Sequence, residues 1–97
     1  MKNRTYHIYF LTNDRHNVLY VGVTGNLPER IIQHKQRSVP GFTKRYNVHK
    51  LVYFEKFKRI QYAIEREKQL KAGSRKRKIS LVNDFNPGWK DLFDEII

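Results

Sequence analysis

Apolar and aromatic side chains are concentrated in two short stretches near the start of the chain, residues 6–12 and 18–24. The polar sequence Asn-Asp-Arg-His-Asn at 13–17 separates them, and this combination predicts a β-hairpin. Both odd and even positions of each stretch are apolar, which indicates a sheet covered on both faces. Gly22 interrupts the second stretch, and a missing side chain in a strand indicates a bulge or the close approach of another group.

Helix and strand signals follow the hairpin. Pro28 suits the first turn of a helix, Gly73 suits a helix end, and Ser74 can cap the helix that comes next. The predicted elements are helices over residues 27–37, 59–72 and 74–83 and a third strand over residues 51–55. This order predicts an α+β fold, with helices packed on a small three-stranded antiparallel sheet. The length of 97 residues predicts one domain covering residues 1–97.

The chain is strongly basic, with 20 Lys and Arg against 9 Asp and Glu and a formal net charge of +11. The surplus lies in residues 1–78, because residues 79–97 carry one Lys and four acidic residues. It favours a polyanionic partner, since each Lys or Arg placed on a phosphate releases counterions. Charge alone leaves DNA, RNA and an acidic membrane open. The densest basic run predicts nucleic-acid contacts from Lys68, Lys71, Arg75, Lys76, Arg77 and Lys78.

Cysteine is absent, which excludes disulfides, thiolate zinc sites and cysteine nucleophiles. The apolar stretch at 8–11 is too short for the core of a signal peptide or for a bilayer span. We therefore expect a cytoplasmic protein that does not enter membranes. No sequence feature identifies an interface, so the expected state is a monomer or a weak dimer.

A glutamate occupies a position of the second predicted helix where an apolar residue is expected. Glu67 falls on the apolar stripe made by Ile60, Ala63, Ile64 and Leu70. Buried carboxylates are paired or bound to metal, and a hard oxygen ligand suits Mg²⁺ or Mn²⁺. For Glu67 considered alone, a salt bridge to one of the many basic side chains is the stronger alternative.

Four further polar residues lie beside predicted apolar faces. Arg30 and His34 are neighbours on the first helix, where a guanidinium can bind phosphate through two parallel bonds and an imidazole can move a proton. Tyr9 and Tyr20 lie in the hairpin strands, and a phenol can take a proton from water where local charge lowers its pKa. Each residue taken singly has a structural alternative, and the sequence does not fix whether the two hydroxyls share a face.

In combination, the strand residues resemble the motifs of the GIY-YIG nuclease superfamily. His7-Ile8-Tyr9 is similar to the first motif, with His in place of Gly, and Tyr20-Val21-Gly22 is similar to the second. The likeness extends over residues 6–92 to small stand-alone members, and also to the N-terminal catalytic domain of the excision-repair nuclease. Stretches shared with the small members include Gly-Phe-Thr-Lys and Asn-Pro-x-Trp.

The helices carry the same resemblance. Asn26-Leu27, followed by Arg30 and His34, resembles the family's first helix, and residues 67–71, Glu-Lys-Gln-Leu-Lys, resemble its Glu-x-x-Leu-Lys helix. Two positions depart from the pattern. Val23 stands where repair relatives carry lysine, and Asn86 matches a late site asparagine at a different distance from Glu67.

The resemblance implies hydrolysis of a DNA phosphodiester by water at a single Mg²⁺ or Mn²⁺. It implies that Glu67 holds the metal and that Arg30 stabilises the developing charge. It also implies that Tyr9, alone or with His34, accepts the proton, while Tyr20 positions the phosphate. Branched or damaged DNA and a place in DNA repair are the expectations from the repair relatives, with RNA left open.

Two functions of different classes therefore remain. The first is a metal-dependent DNA endonuclease, structure-selective or weakly sequence-specific. The second is a nucleic-acid-binding module with little or no cleavage activity that uses the same basic surface. A third possibility is partner docking by the aromatic C-terminal end, around Trp89, Phe93 and Ile97, although closure of the core by these residues is favoured.

Overall fold

The structure, a computed structural model, describes residues 4–97. Its elements confirm the predicted α+β class and the three-stranded sheet. In chain order they are β1 (Tyr6–Thr12), β2 (Leu19–Thr24), α1 (Leu27–Lys35), α2 (Phe42–Arg45), β3 (Lys50–Phe57), α3 (Ile60–Ala72), α4 (Arg75–Phe85) and α5 (Phe93–Ile96). Across residues 4–97, no helix has the length and apolar character needed to cross a membrane.

The central strand of the sheet is β1, which pairs antiparallel with β2 on one side and β3 on the other. Tyr9 lies opposite Gly22 of β2 and Phe54 of β3. The pairing with β3 shifts by one residue after Phe10, where Val52 is the extra residue of a β-bulge.

Helices cover both faces of the sheet, as the apolar strands predict. Successive residues of β1 point to opposite faces. On one face Ile8 and Phe10 pack against α3 and α4, in a core completed by Val21, Val52, Tyr53, Ala63, Leu70 and Val82. On the other face Tyr9 and Leu11 pack against α1 and the C-terminal end, in a core completed by Leu27, Ile31, Val48, Leu51 and Leu92.

Several predicted boundaries differ from those in the structure. The first helix ends at Lys35, because Arg37 adopts a left-handed conformation with φ of 56°. Strand β3 continues to Phe57, because β1 offers it pairing partners as far as Tyr6. Helix α4 continues to Phe85, two residues beyond the predicted end. The short helix α2 lies in a segment that was expected to be a connection.

The buried stripe of α3 is narrower than predicted. Ala63 and Leu70 are buried, but Ile60 and Ile64 are each 39% exposed. Glu67 therefore lies at the border of the packed face, where its side chain is 17% exposed. This position leaves the carboxylate partly desolvated and still open on one side.

The C-terminal segment, residues 86–97, is fastened to the outer edge of β3. The Leu92 amide donates to the Leu51 carbonyl at 2.7 Å, and the Leu51 amide donates to the Asp91 carboxylate at 3.3 Å. Lys35 of α1 forms an ion pair with the same carboxylate. Leu92 is buried, and Trp89 and Phe93 pack against the cores as the favoured interpretation expected, whereas Ile97 is 72% exposed and does not take part.

Candidate active site

The Tyr9 ring lies across the backbone of Gly22. A Cβ atom at residue 22 would be 2.4 Å from both Cζ and the hydroxyl oxygen of Tyr9, far inside van der Waals contact. The missing side chain therefore marks a close approach, one of the two alternatives open from the sequence. Passing over Gly22 carries the Tyr9 hydroxyl across β2, the edge strand of the sheet.

Tyr20 lies on the same face as Tyr9. It pairs with Leu11, two positions along β1 from the pair of Tyr9 and Gly22, so the two tyrosines point the same way. Their ring centroids are 6.3 Å apart. The strand register thus settles which face the two hydroxyls occupy.

Helix α1 begins at a reciprocal cap that orients its polar side chains. The Asn26 side chain accepts from the Glu29 amide at 3.3 Å and donates to the Glu29 carboxylate at 3.0 Å. Leu27 and Ile31 are buried, which anchors the helix on the sheet. One further turn along, His34 is 2% exposed and reaches the tyrosine cluster.

His34 links Tyr9 to Thr43 through a buried chain of hydrogen bonds. The Tyr9 hydroxyl lies 3.0 Å from His34 Nε2, and the Thr43 hydroxyl lies 3.1 Å from His34 Nδ1. With Tyr9 donating to Nε2, Nδ1 carries the ring proton and donates to Thr43. Thr43 therefore fixes the orientation of the ring, and its hydroxyl can act as acceptor or donor to match either tautomer.

Burial governs the protonation of both partners. Burial, with the nearby Tyr20 and Glu67, raises the pKa of the Tyr9 hydroxyl to about 12 against the opposing effect of Arg30. Burial and then the Arg30 charge lower the pKa of His34 to about 4. At neutral pH the phenol is protonated and the imidazole is neutral. The sequence hypothesis required local charge to lower the phenol pKa, and that condition is not met for Tyr9, so Tyr9 can take a proton only by passing its own to His34.

Arg30 and Glu67 bring opposite charges to the tyrosine cluster. The Arg30 guanidinium donates to Gln33 at 3.1 Å and is close enough to influence the pKa of both Tyr9 and His34. Glu67, from the helix on the opposite face of the sheet, is close enough to raise the pKa of Tyr9. Four predicted residues therefore lie close together at this edge, Tyr9, Tyr20, Arg30 and His34, and Glu67 is within electrostatic reach of Tyr9.

The protein oxygens at this edge suit a hard divalent cation only if oxygen atoms of the substrate and of water supply the remaining ligands. Among residues 4–97 there is no group of three or more His, Cys, Asp or Glu placed to hold a metal ion. Glu67 offers one carboxylate, paired with Lys71 at 3.4 Å on the next turn of α3. Mg²⁺ keeps several waters and often binds through one or two carboxylates plus phosphate oxygens, so Glu67 fits as its protein ligand.

Asn86 is not brought to this cluster. Its side-chain amide donates to the Val52 carbonyl at 3.2 Å and to the Lys90 carbonyl at 2.8 Å, and its oxygen accepts from the Lys90 amide. These bonds occupy the side chain in joining the end of α4 to β3. Asn86 thus shapes the turn before the C-terminal segment.

The predicted nucleic-acid contacts divide into two groups. Lys78 donates to the carbonyls of Leu70 and Gly73 at 2.8 and 3.0 Å, so it caps the end of α3. Arg75 donates to the Asn17 carbonyl in the hairpin turn at 2.9 Å. Lys68 and Lys71 lie exposed on α3, whereas Lys76 and Arg77 border an open groove of 780 Å³ between α3 and α4.

Thr43 and Phe42 are site residues that the sequence interpretation did not single out. Thr43 holds His34, and Phe42 stacks on Tyr20 with ring centroids 6.0 Å apart. Both belong to the Gly-Phe-Thr-Lys stretch, which the resemblance to small family members includes. That shared stretch was the signal that could have identified them.

The fold and this cluster define the class of the protein. The family model described as the GIY-YIG catalytic domain matches residues 5–80, most of the chain. The chain therefore belongs to the GIY-YIG family of nuclease domains, which confirms the resemblance seen in its motifs.

Within that family, the chain is similar to small proteins named UPF0213. It is 30% identical over 78 residues to UPF0213 protein SSP2268 of Staphylococcus saprophyticus, covering 80% of this chain and 95% of that protein. It is 31% identical, with the same coverage, to UPF0213 protein SH2523 of Staphylococcus haemolyticus. The solution NMR structure of UPF0213 protein BH0048 from Bacillus halodurans superposes with a TM-score of 0.53 at 26% identity, covering 87% of each chain.

Proposed function

We propose that this protein is a divalent-metal-dependent endonuclease that hydrolyses a DNA phosphodiester bond. The observation that carries the proposal is the meeting of a histidine, a phenol and a guanidinium at one sheet edge, with a mostly buried carboxylate within electrostatic reach of the phenol. Each supplies one requirement of phosphodiester hydrolysis, namely a proton acceptor, a relay, a stabiliser of negative charge and a metal ligand.

The proton of the attacking water leaves through Tyr9. As the water oxygen bonds to phosphorus, the Tyr9 oxygen takes the water proton and passes its own proton to His34 Nε2, 3.0 Å away. The bond between phosphorus and the leaving oxygen then breaks, and that oxygen leaves as an alcohol after taking a proton from solvent. The low pKa of His34 keeps the ring neutral but also makes it a weak base, so the transfer depends on the negative phosphate, which favours the protonated ring.

Arg30 stabilises the charge that develops on the phosphoryl oxygens, because a guanidinium can donate two parallel hydrogen bonds to them. Tyr20, beside Tyr9, orients the phosphate with its hydroxyl. Glu67 holds the metal, which when bound polarises the phosphate and lowers the pKa of coordinated water.

A binding module without cleavage activity is the second candidate. The exposed basic side chains of α3 and of the α3–α4 groove support it, because they suit phosphate contacts without any catalytic chemistry. The endonuclease is preferred, because phosphate binding alone gives no reason for a buried chain from Tyr9 through His34 to Thr43.

Replacement of Glu67 separates the two candidates. We expect Glu67→Gln to reduce nicking of supercoiled plasmid and cutting of a labelled branched DNA on the order of 100-fold or more, because the metal loses its protein ligand. DNA affinity and the thermal midpoint should change little, since the side chain keeps its size. Cleavage is measured with Mg²⁺, with Mn²⁺ and with EDTA.

Glu65→Gln is the matched control, because Glu65 is an exposed glutamate of the same helix. It removes the same charge and should cut like the wild type. Folded wild-type protein that binds DNA and cuts neither substrate in either metal would support the binding module. Equal losses in the two variants would remove Glu67 from the metal site.

A further inference from the structure

A strip of exposed aromatic rings leads away from the candidate active site. Tyr20 lies 5.7 Å from His34 between ring centroids. Phe42 stacks on Tyr20 at 6.0 Å with ring planes 28° apart, and Tyr46 lies 4.6 Å beyond Phe42. We call Tyr20, Phe42 and Tyr46 the aromatic strip.

The outer rings of the aromatic strip are not used in the core. Phe42 is 46% exposed and Tyr46 is 43% exposed, although a chain of this size has little apolar surface to spare. Thr43 is the buried residue of α2, so the helix is anchored without the two rings. Adjacent exposed rings that continue a buried site indicate a binding surface.

Positive charge accompanies these rings. The Arg45 guanidinium carbon lies 5.5 Å from the centroid of the Tyr46 ring, within cation–π distance. Lys44 is exposed on the same short helix. Ring faces that alternate with cations suit a chain in which flat bases alternate with phosphates, as in single-stranded nucleic acids.

We propose that the aromatic strip stacks an unpaired base of the substrate beside the scissile phosphate. This inference rests on the proposed function and narrows its substrate class to nucleic acid with unpaired nucleotides at the cut. Bases within a duplex already cover one another's faces, so they cannot lie on Phe42 without being extruded. DNA and RNA strands share the chemistry, and the test compares them.

The test is equilibrium binding of the full chain, in EDTA, to labelled 12-nucleotide strands. A normal DNA strand is compared with one of equal charge in which abasic sites replace the central bases, with an RNA strand of the same sequence and with the DNA duplex. Wild-type protein should prefer the normal strand to the abasic one, and Phe42→Ala should weaken normal-strand binding about 5- to 100-fold and erase that preference. Phe42→Trp should retain the preference for the normal strand over the abasic one.

Phe85→Ala is the matched control, because Phe85 is a 49% exposed ring that packs on Tyr53 and Phe54, away from the strip. It should keep the preference for bases. Equal affinity of wild-type protein for normal and abasic strands overturns the stacking inference and leaves the proposed function standing. Tighter binding of the duplex than of the strand also overturns it. Absence of nucleic-acid binding in every arm overturns both.

Discussion

The position of the Tyr9 ring depends on the absence of a side chain at Gly22. The ring crosses the Gly22 backbone so closely that the hydroxyl reaches His34 on α1 at 3.0 Å. The glycine in the second strand motif of this chain therefore has a packing reason, because Gly22 leaves the space that the Tyr9 ring occupies.

Gly22→Ala tests this dependence. The added methyl group would overlap a buried, hydrogen-bonded ring, so we expect a loss of about 1–3 kcal/mol in the free energy of unfolding and a fall in cleavage. Gly88→Ala is the control, because its Cβ would lie 3.6 Å from the nearest atom, an ordinary contact. Urea unfolding and plasmid nicking measure the two effects. Unchanged stability and cutting in Gly22→Ala would contradict the assigned ring position.

His34 makes a second prediction at this scale. Its pKa is about 4 in the folded protein against 6.5 when exposed, so between these values the unfolded chain binds the extra proton. Stability is therefore full above pH 6.5 and is lost as the pH falls towards 4. The contribution of His34 to the loss between pH 7 and pH 5 should be about 2 kcal/mol, and His7, whose pKa burial and Lys56 also lower, adds to the loss in the wild type and in a His34 variant alike.

The measurement is urea unfolding of the wild type and of His34→Gln across this pH range. Glutamine can hydrogen-bond but does not titrate, so the variant should show a flatter profile above pH 5. Glu55 titrates in both proteins. Burial raises the pKa of Glu55, but hydrogen bonds from Arg66 and Tyr53 outweigh burial and lower it, so its contribution is lost at more acid pH. Parallel profiles would show that His34 titrates normally.

At the scale of elements, hydrogen bonds from side chains fix the junction of α3 and α4. Gly73 ends α3, and Ser74 caps α4 by accepting from the Arg77 amide at 3.1 Å. Lys78 then reaches back to two carbonyls at the end of α3, where a positive charge is favourable. Within the basic run, Lys78 thus joins two helices, whereas the other lysines face solvent.

Lys78→Met and Lys76→Met separate these roles. We expect Lys78→Met to lower the free energy of unfolding by about 1 kcal/mol, because the α3 carbonyls lose a charged donor. Lys76→Met should leave stability unchanged and reduce the slope of log affinity against log salt by about 0.9, the value for one phosphate contact. Thermal unfolding and salt titrations of DNA binding provide both readouts. A salt-slope loss in Lys78→Met without destabilisation would place it among the phosphate contacts.

At the scale of the whole molecule, the sequence predicted the helices and strands that depend on a local pattern of residues. The hairpin, α1, β3, α3 and α4 were identified from apolar runs and from breakers such as Gly73 and Pro28. Helix α2 was missed because its four residues are too few for periodicity, and its position depends on the tertiary bond between Thr43 and His34.

The candidate site was predictable in its members and not in its geometry. The shared face of Tyr9 and Tyr20 follows from strand register, which the sequence of the turn did not fix. Asn86 bonds to Val52, which is distant from it in sequence, and Lys78 bonds to carbonyls at the end of the preceding helix. The sequence around the two residues gave no sign of these roles.

The C-terminal segment has a consequence for self-association. A free strand edge offers unpaired amides and carbonyls on which a second copy can add a strand, a common route to aggregation. The bonds from Leu92 and Asp91 to Leu51 occupy both groups of that residue on the open side of β3, and the Val52 bulge disturbs the regular pairing beside it. The same segment that closes a core thereby makes the amide and carbonyl of Leu51 unavailable for pairing with an added strand at this edge.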